Sequence, residues 1–209
     1  MARAGGVGFH PTLLPEGRGR APVAWTILLG ARAAANLFYL TDEPDAGDII
    51  VQREVPVRPD DYSEDLIERT NRVLAETILD LAPRIRAGDI PRTPQDQSKA
   101  TYYPKRTPAD GLIDWSATTE QIYRLIRAAG RPYPGAFTHF GQRKLIIWRG
   151  QPADMPVSAG SVEPGRVLTM TPASGVLVAT GNGSIWMTET QLEGGDRALE
   201  VLEVGARLS

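Results

Sequence analysis

The chain has 209 residues, 42% of them hydrophobic and 23% charged, enough to bury one large core or two small ones. A net charge of −2 gives no basic field for nucleic acid, and the lack of cysteine excludes disulfides, thiolate metal ligands and a cysteine nucleophile. No apolar run approaches the roughly 18 residues of a membrane span, and the opening Met1-Ala2-Arg3-Ala4-Gly5-Gly6 lacks the apolar stretch of a signal peptide, so a cytoplasmic address is expected.

In chain order, Gly5 to Phe9 reads as the end of a strand running into a loop at His10-Pro11-Thr12-Leu13-Leu14-Pro15. Pro22 suits the first position of a helix, where its fixed φ helps and its missing N–H costs nothing. Val23 to Leu29 then predicts a short buried helix stopped by Gly30. Ala35–Leu40 and Ile49–Val55 read as strands on either side of the acidic loop Asp42-Glu43-Pro44-Asp45-Ala46-Gly47-Asp48. Ser63 is the candidate N-cap of a long helix. Ile67, Leu74, Ile78, Leu81 and Ile85 recur at helical spacing and predict one apolar stripe, and Gly88 closes the element. The stretch from Pro91 to Ala109 is rich in Pro, Gln, Thr and Ser without periodicity, and reads as a connection. The domain reading is therefore 1–92, a linker at 93–109, and a second domain at 110–209.

In the second part, Thr118 with Gln121 forms a capping box, and Ile122, Leu125, Ile126 and Ala129 share one helical face. Strands follow at Ala136–Phe140, Lys144–Trp148, Gly165–Thr169, Val176–Thr180 and Ile185–Thr188, the last after the hairpin signal Gly181-Asn182-Gly183. One helix and five or six short strands predict a small β-barrel. Trp115, Trp148 and Trp186 are expected in its core and His139 on a strand surface.

A single loop histidine is more often a bystander than a catalyst, and an acidic loop is more often a turn. The joint pattern carries more. Gly8-Phe9-His10-Pro11-Thr12-Leu13-Leu14-Pro15, the helix start Arg18-Gly19-Arg20-Ala21-Pro22 and the loop Asp45-Ala46-Gly47-Asp48-Ile49 stand at a mutual spacing that resembles the catalytic core of the 10-formyltetrahydrofolate-dependent formyltransferases. The likeness leans toward members that formylate amino sugars on nucleotides or lipid carriers. Lys105-Arg106-Thr107-Pro108, Asp114-Trp115, Pro132-Tyr133-Pro134-Gly135-Ala136 and Thr190-Gln191-Leu192-Glu193-Gly194-Gly195 resemble the C-terminal domain of the same family.

The resemblance implies an α/β fold: an incomplete Rossmann-like formyltransferase domain followed by a small OB-like β-barrel. It implies 10-formyltetrahydrofolate as co-substrate, no metal and a small-molecule amino-sugar substrate, while the near-neutral charge argues against a nucleic-acid partner. His10 would stabilise the tetrahedral intermediate and move protons, a task suited to an unperturbed pKa near 6.5. Asp45 would position His10 and accept the amine proton. Thr12, Leu13, Leu14, Arg20, Asp42, Glu43 and Pro44 would border the folate, whereas Arg18 divides evenly between a solvated charge and an anion contact.

Two departures from the family pattern stand out. The family places Asn two residues before this histidine, where its side chain donates to the formyl oxygen; here that residue is Gly8. The family also places most of a Rossmann-like half before the histidine, and here nine residues precede it. A sheet starting at this strand is expected to expose an edge and to favour self-association, a homodimer being the simplest form. Two alternatives remain open: a methionyl-tRNA formyltransferase, and an inactive fragment serving as an interaction module.

Overall fold

A computed structural model describes residues 5–153, 162–195 and 198–209. The chain divides into two compact units, Met1–Arg106 and Thr107–Ser209. Among the described residues, no helix is long and apolar enough to cross a membrane.

The first unit is built on three antiparallel strands in the order β1-β3-β4, with β1 at Val7–Thr12, β3 at Ala33–Tyr39 and β4 at Ile49–Val55. Strand β3 is buried at every position but its last. Its small and apolar residues (Ala33, Ala34, Ala35, Leu37, Phe38) suit a central strand covered on both faces. Helix α1 (Pro22–Leu29) opens on Pro22 and ends at Gly30, whose φ of 63° gives the left-handed turn that glycine adopts freely. Helix α2 (Ser63–Arg86) places Leu74 and Leu81 against Leu37 and Ile50.

The buried stripe of α2 differs from the expected one. The core face is Ser63, Leu66, Thr70, Thr77 and Leu81, while Ile78 and Ile85 are 43% and 46% exposed. Thr70 and Thr77 replace aliphatic residues on that face because each hydroxyl donates to a carbonyl one turn back, Leu66 and Val73 respectively, and so enters the core satisfied. A stripe drawn through the isoleucines alone is rotated away from the sheet. Tyr62 rather than Ser63 holds the cap position, and its backbone N–H donates to Asp65.

The Pro-rich stretch after α2 does structural work in the first unit. Residue Thr93 exchanges both backbone hydrogen bonds with Ile49, and β5 (Tyr102–Tyr103) pairs in parallel with β2 (Arg18–Gly19). Gly19 has φ 102°, and a Cβ there would stand 2.6 Å from the carbonyl oxygen of Tyr103, so the Arg-Gly-Arg sequence needs its glycine for this close pairing. The unit boundary accordingly falls at Arg106, inside the segment whose composition suggests a linker.

The second unit is a five-stranded antiparallel sheet in the order β6-β7-β10-β9-β8, packed by α3 (Thr119–Ala129). The strands are β6 Ala136–Phe140, β7 Arg143–Pro152, β8 Val167–Thr171, β9 Gly175–Ala179 and β10 Ser184–Leu192; a short α4 spans Ala198–Val201. The small β-domain expected from the sequence is present, but its ladder stays open between β6 and β8. The C-terminal tail lies between those edges. Ala206 and Leu208 bond to Val167 and Gly165, and Ser209 exchanges both hydrogen bonds with His139. Trp115 is core, but Trp148 and Trp186 are only half-buried: strand alternation sends Leu145, Ile147, Ile185 and Met187 inward and turns the two indoles to the outer face.

Candidate active site

His10 lies within β1, not in a loop beyond it. Alternation puts Gly8, His10 and Thr12 on one face and Val7, Phe9 and Pro11 on the other, and the burial follows: His10 is 4% exposed and Thr12 2%. Directly across the ladder stands Asn36, fully buried, whose amide donates to the carbonyl of His10 at 2.7 Å and to that of Thr12. Those bonds hold the irregular end of β1, where pairing with β3 slips between His10 and Thr12.

The acidic loop brings Asp45 to this histidine. Asp45 Oδ2 is 3.4 Å from His10 Nδ1 and accepts the backbone N–H of Gly19 at 2.8 Å. The other ring nitrogen, Nε2, is 2.8 Å from the carbonyl oxygen of Gly17. Both ring nitrogens therefore face oxygens. The pair is enclosed, with side-chain exposures of 5% for His10 and 18% for Asp45. Such an arrangement can hold a proton near a reacting group and return it.

Arg18 is completely buried and serves the loop, not solvent. Its guanidinium donates to Gln95 Oε1 through Nε (3.3 Å) and Nη2 (2.8 Å), and to the Tyr102 hydroxyl at 2.9 Å. Glu43 lies 3.7 Å from Arg18 and accepts the Tyr102 O–H. Among the residues expected to border a folate, Thr12 turns its hydroxyl onto the carbonyl of Glu16 at 2.7 Å, and Leu14 is buried with its carbonyl held by Gln52. Leu13 is half-buried, and Asp42, Glu43, Pro44 and Arg20 are exposed. Among the described residues no group of three or more His, Asp or Glu side chains is placed to hold a metal ion.

A family model described as Formyl transferase matches residues 1–80, and one described as Formyl transferase, C-terminal domain, matches residues 105–201. The chain belongs to the formyl transferase family. Its fold is similar to HypX from Aquifex aeolicus, solved in complex with tetrahydrofolic acid (24% identity, TM-score 0.73, 90% of this chain and 32% of that one). It is also similar to methionyl-tRNA formyltransferase from Clostridium thermocellum (24%, TM-score 0.61, 83% of this chain and 68% of that one). The N-formyltransferase from Helicobacter canadensis, solved with folinic acid and dTDP-3-aminofucose, gives 16% identity and a TM-score of 0.66 over 87% of this chain and 65% of that one. The chain thus spans about a third of HypX.

Within this formyl transferase chain, the position two residues before the histidine is filled from another strand. A Cβ on Gly8 would stand 2.7 Å from Phe38 Cζ and 2.7 Å from Leu40 Cδ2, so these side chains occupy the space of the family's asparagine. Asn36 and Gln95 escaped the sequence reading. Asn36 had one signal, a lone amide in an apolar strand; Gln95 had none, standing among polar residues in a stretch without periodicity.

Proposed function

We propose that the chain transfers the formyl group of 10-formyltetrahydrofolate to the amine of an amino sugar carried on a nucleotide or a lipid. The observation that carries this reading is the enclosed His10–Asp45 pair, 3.4 Å apart, inside the family's sequence pattern. The acceptor amine attacks the formyl carbon, and the carbonyl oxygen becomes the oxyanion of a tetrahedral intermediate. Collapse restores the carbonyl and breaks the bond to the folate nitrogen, which leaves with a proton. Asp45 takes the proton that the attacking amine loses, and His10 stabilises the oxyanion and delivers the proton to the leaving nitrogen. The folate is assigned to the border formed by Thr12, Leu13, Leu14, Arg20 and the loop Asp42–Pro44. The exposed Arg20 guanidinium is free to meet an anionic group of either substrate.

The co-substrate is carried over from relatives solved with tetrahydrofolic and folinic acids. The choice of acceptor rests on charge: residues 101–209 hold 11 Lys and Arg against 10 Asp and Glu, a poor counterpart for the many phosphates of a tRNA. The test is an assay of the protein with 10-formyltetrahydrofolate against a panel of nucleotide-linked amino sugars and charged initiator tRNA. Formylation of a sugar amine is expected. His10→Ala should lower kcat by about a hundredfold or more while the acceptor KM changes little, as for a group acting in the transition state. Transfer to tRNA alone would move the acceptor assignment. Folate binding without turnover on any amine would make the chain a binding module.

A further inference from the structure

We infer that Gln95 is a positioning residue for Asp45, setting the backbone of the acidic loop so that its carboxylate meets His10. Asp45 has φ 55°, a left-handed conformation that aspartate enters more readily than most residues with a side chain but less readily than glycine, so bonds to its backbone help to keep it there. Gln95 supplies the hold. Its amide nitrogen donates to the carbonyl of Asp45 at 2.8 Å and to that of Gly47 at 2.7 Å. Its amide oxygen accepts two N–H groups of the buried Arg18. Arginine only donates and carbonyls only accept, so the amide cannot turn over without losing all four contacts. Arg18 is itself pinned, since its backbone N–H donates to the carbonyl of Thr101 at 2.9 Å. Two separate devices therefore fix Asp45. Gln95 holds the loop backbone, and the Gly19 N–H holds the carboxylate.

The kinetic side of this inference rests on the proposed formyl transfer; the placement of Asp45 does not, and each is tested separately. Gln95→Glu keeps the size and the acceptor for Arg18 but exchanges the two donors for an anion facing two carbonyls. Misplacement of the loop in that variant is expected to lower kcat on the order of a hundredfold, with KM values little changed. In an Asp45→Ala background the same substitution should add less than about a further twofold, because the group it positions is already gone. Wild-type kcat in the Gln95→Glu variant, or an equal loss in the Asp45→Ala background, would overturn the inference.

The second readout needs no activity. The Gly19 N–H donates to the Asp45 carboxylate at 2.8 Å, a charge-assisted bond, so its amide proton resonance in an NMR spectrum reports where that carboxylate stands. Removing the carboxylate in Asp45→Ala should move that resonance upfield. The uncharged Gln95→Leu should move it in the same direction, and a Gly19 resonance held at the wild-type position would refute the positioning role. Absence of wild-type turnover with a Gln95-dependent Gly19 resonance would refute the functional reading and leave the positioning intact.

Discussion

At the scale of single residues, the site depends on what stands beside each group as much as on its identity. His10 is useful because strand alternation turns it inward, Asn36 grips the backbone at its position, and Asp45 arrives from a loop more than thirty residues later. Gly8 illustrates the reverse case. The family pattern suggests that an asparagine there would restore a donor, but the Phe38 ring and the Leu40 side chain already fill the space, with Phe38 itself 2% exposed. Gly8→Asn is therefore expected to leave turnover no higher and to cost about 1–3 kcal/mol in overpacking. Urea denaturation beside an activity assay checks both halves. A faster enzyme of unchanged stability would mean that the ring swings aside and the donor was the limiting group.

At the scale of elements, α2 is anchored at its start by a buried ion pair. Asp61 is 3% exposed, receives Arg69 Nη2 at 2.7 Å and the Arg58 backbone N–H at 2.7 Å, and sits at 2.5 Å from Arg69 Nη1. Burial pushes the Asp61 carboxyl up, but the hydrogen bond from Arg69, with those and the charge of Arg58, more than offsets it and holds the pKa below the usual carboxylate value. A depressed folded-state value stabilises above the unfolded pKa of about 3.9 and is lost as pH falls through the folded value. The first unit should accordingly weaken in acid below about pH 4. Arg69→Met strands the carboxylate and should cost about 3–5 kcal/mol near neutral pH, and less at pH 3, where Asp61 can protonate. Denaturant midpoints at the two pH values measure the difference; an equal cost at both would remove the charge from the explanation.

At the scale of the molecule, the two units gather their cores by different routes. The first assembles distant stretches, with β2 meeting β5 and the loop after β3 meeting Gln95. The second joins a β6-β7 hairpin to a β8-β9-β10 meander where β7 meets β10, and its edges are linked through the last five residues. Leu208, 2% exposed, is the apolar anchor of that tail. Leu208→Ala should cost about 2–5 kcal/mol and free both sheet edges together. Because each unit has its own core, two unfolding transitions are expected in calorimetry, and Leu208→Ala should lower only the one that belongs to residues 107–209. A shift of both transitions by the same amount would show that the units unfold as one.

The elements that local chemistry specifies are legible in the chain alone: the Pro22 start and Gly30 stop of α1, the Thr118–Gln121 cap of α3, and the Gly181-Asn182-Gly183 turn before β10. The chain also carries the spacing of His10, Asp45 and the Arg-Gly-Arg run on which the resemblance to formyltransferases rests, within the stretch that the family model matches. Each of these signals lies within a few residues of the structure it encodes. The remaining features depend on partners far apart in the chain that meet only in the folded molecule. The face of α2 that is buried depends on the sheet it meets, and two threonines with satisfied hydroxyls serve there as well as isoleucine. Which way Trp148 and Trp186 point follows from strand register rather than from their hydrophobicity. The roles of Arg18 and Gln95 arise from hydrogen bonds spanning 77 and 50 residues. Composition cannot show such bonds, because an arginine or glutamine reads as polar surface until the fold supplies the buried partner that makes it structural.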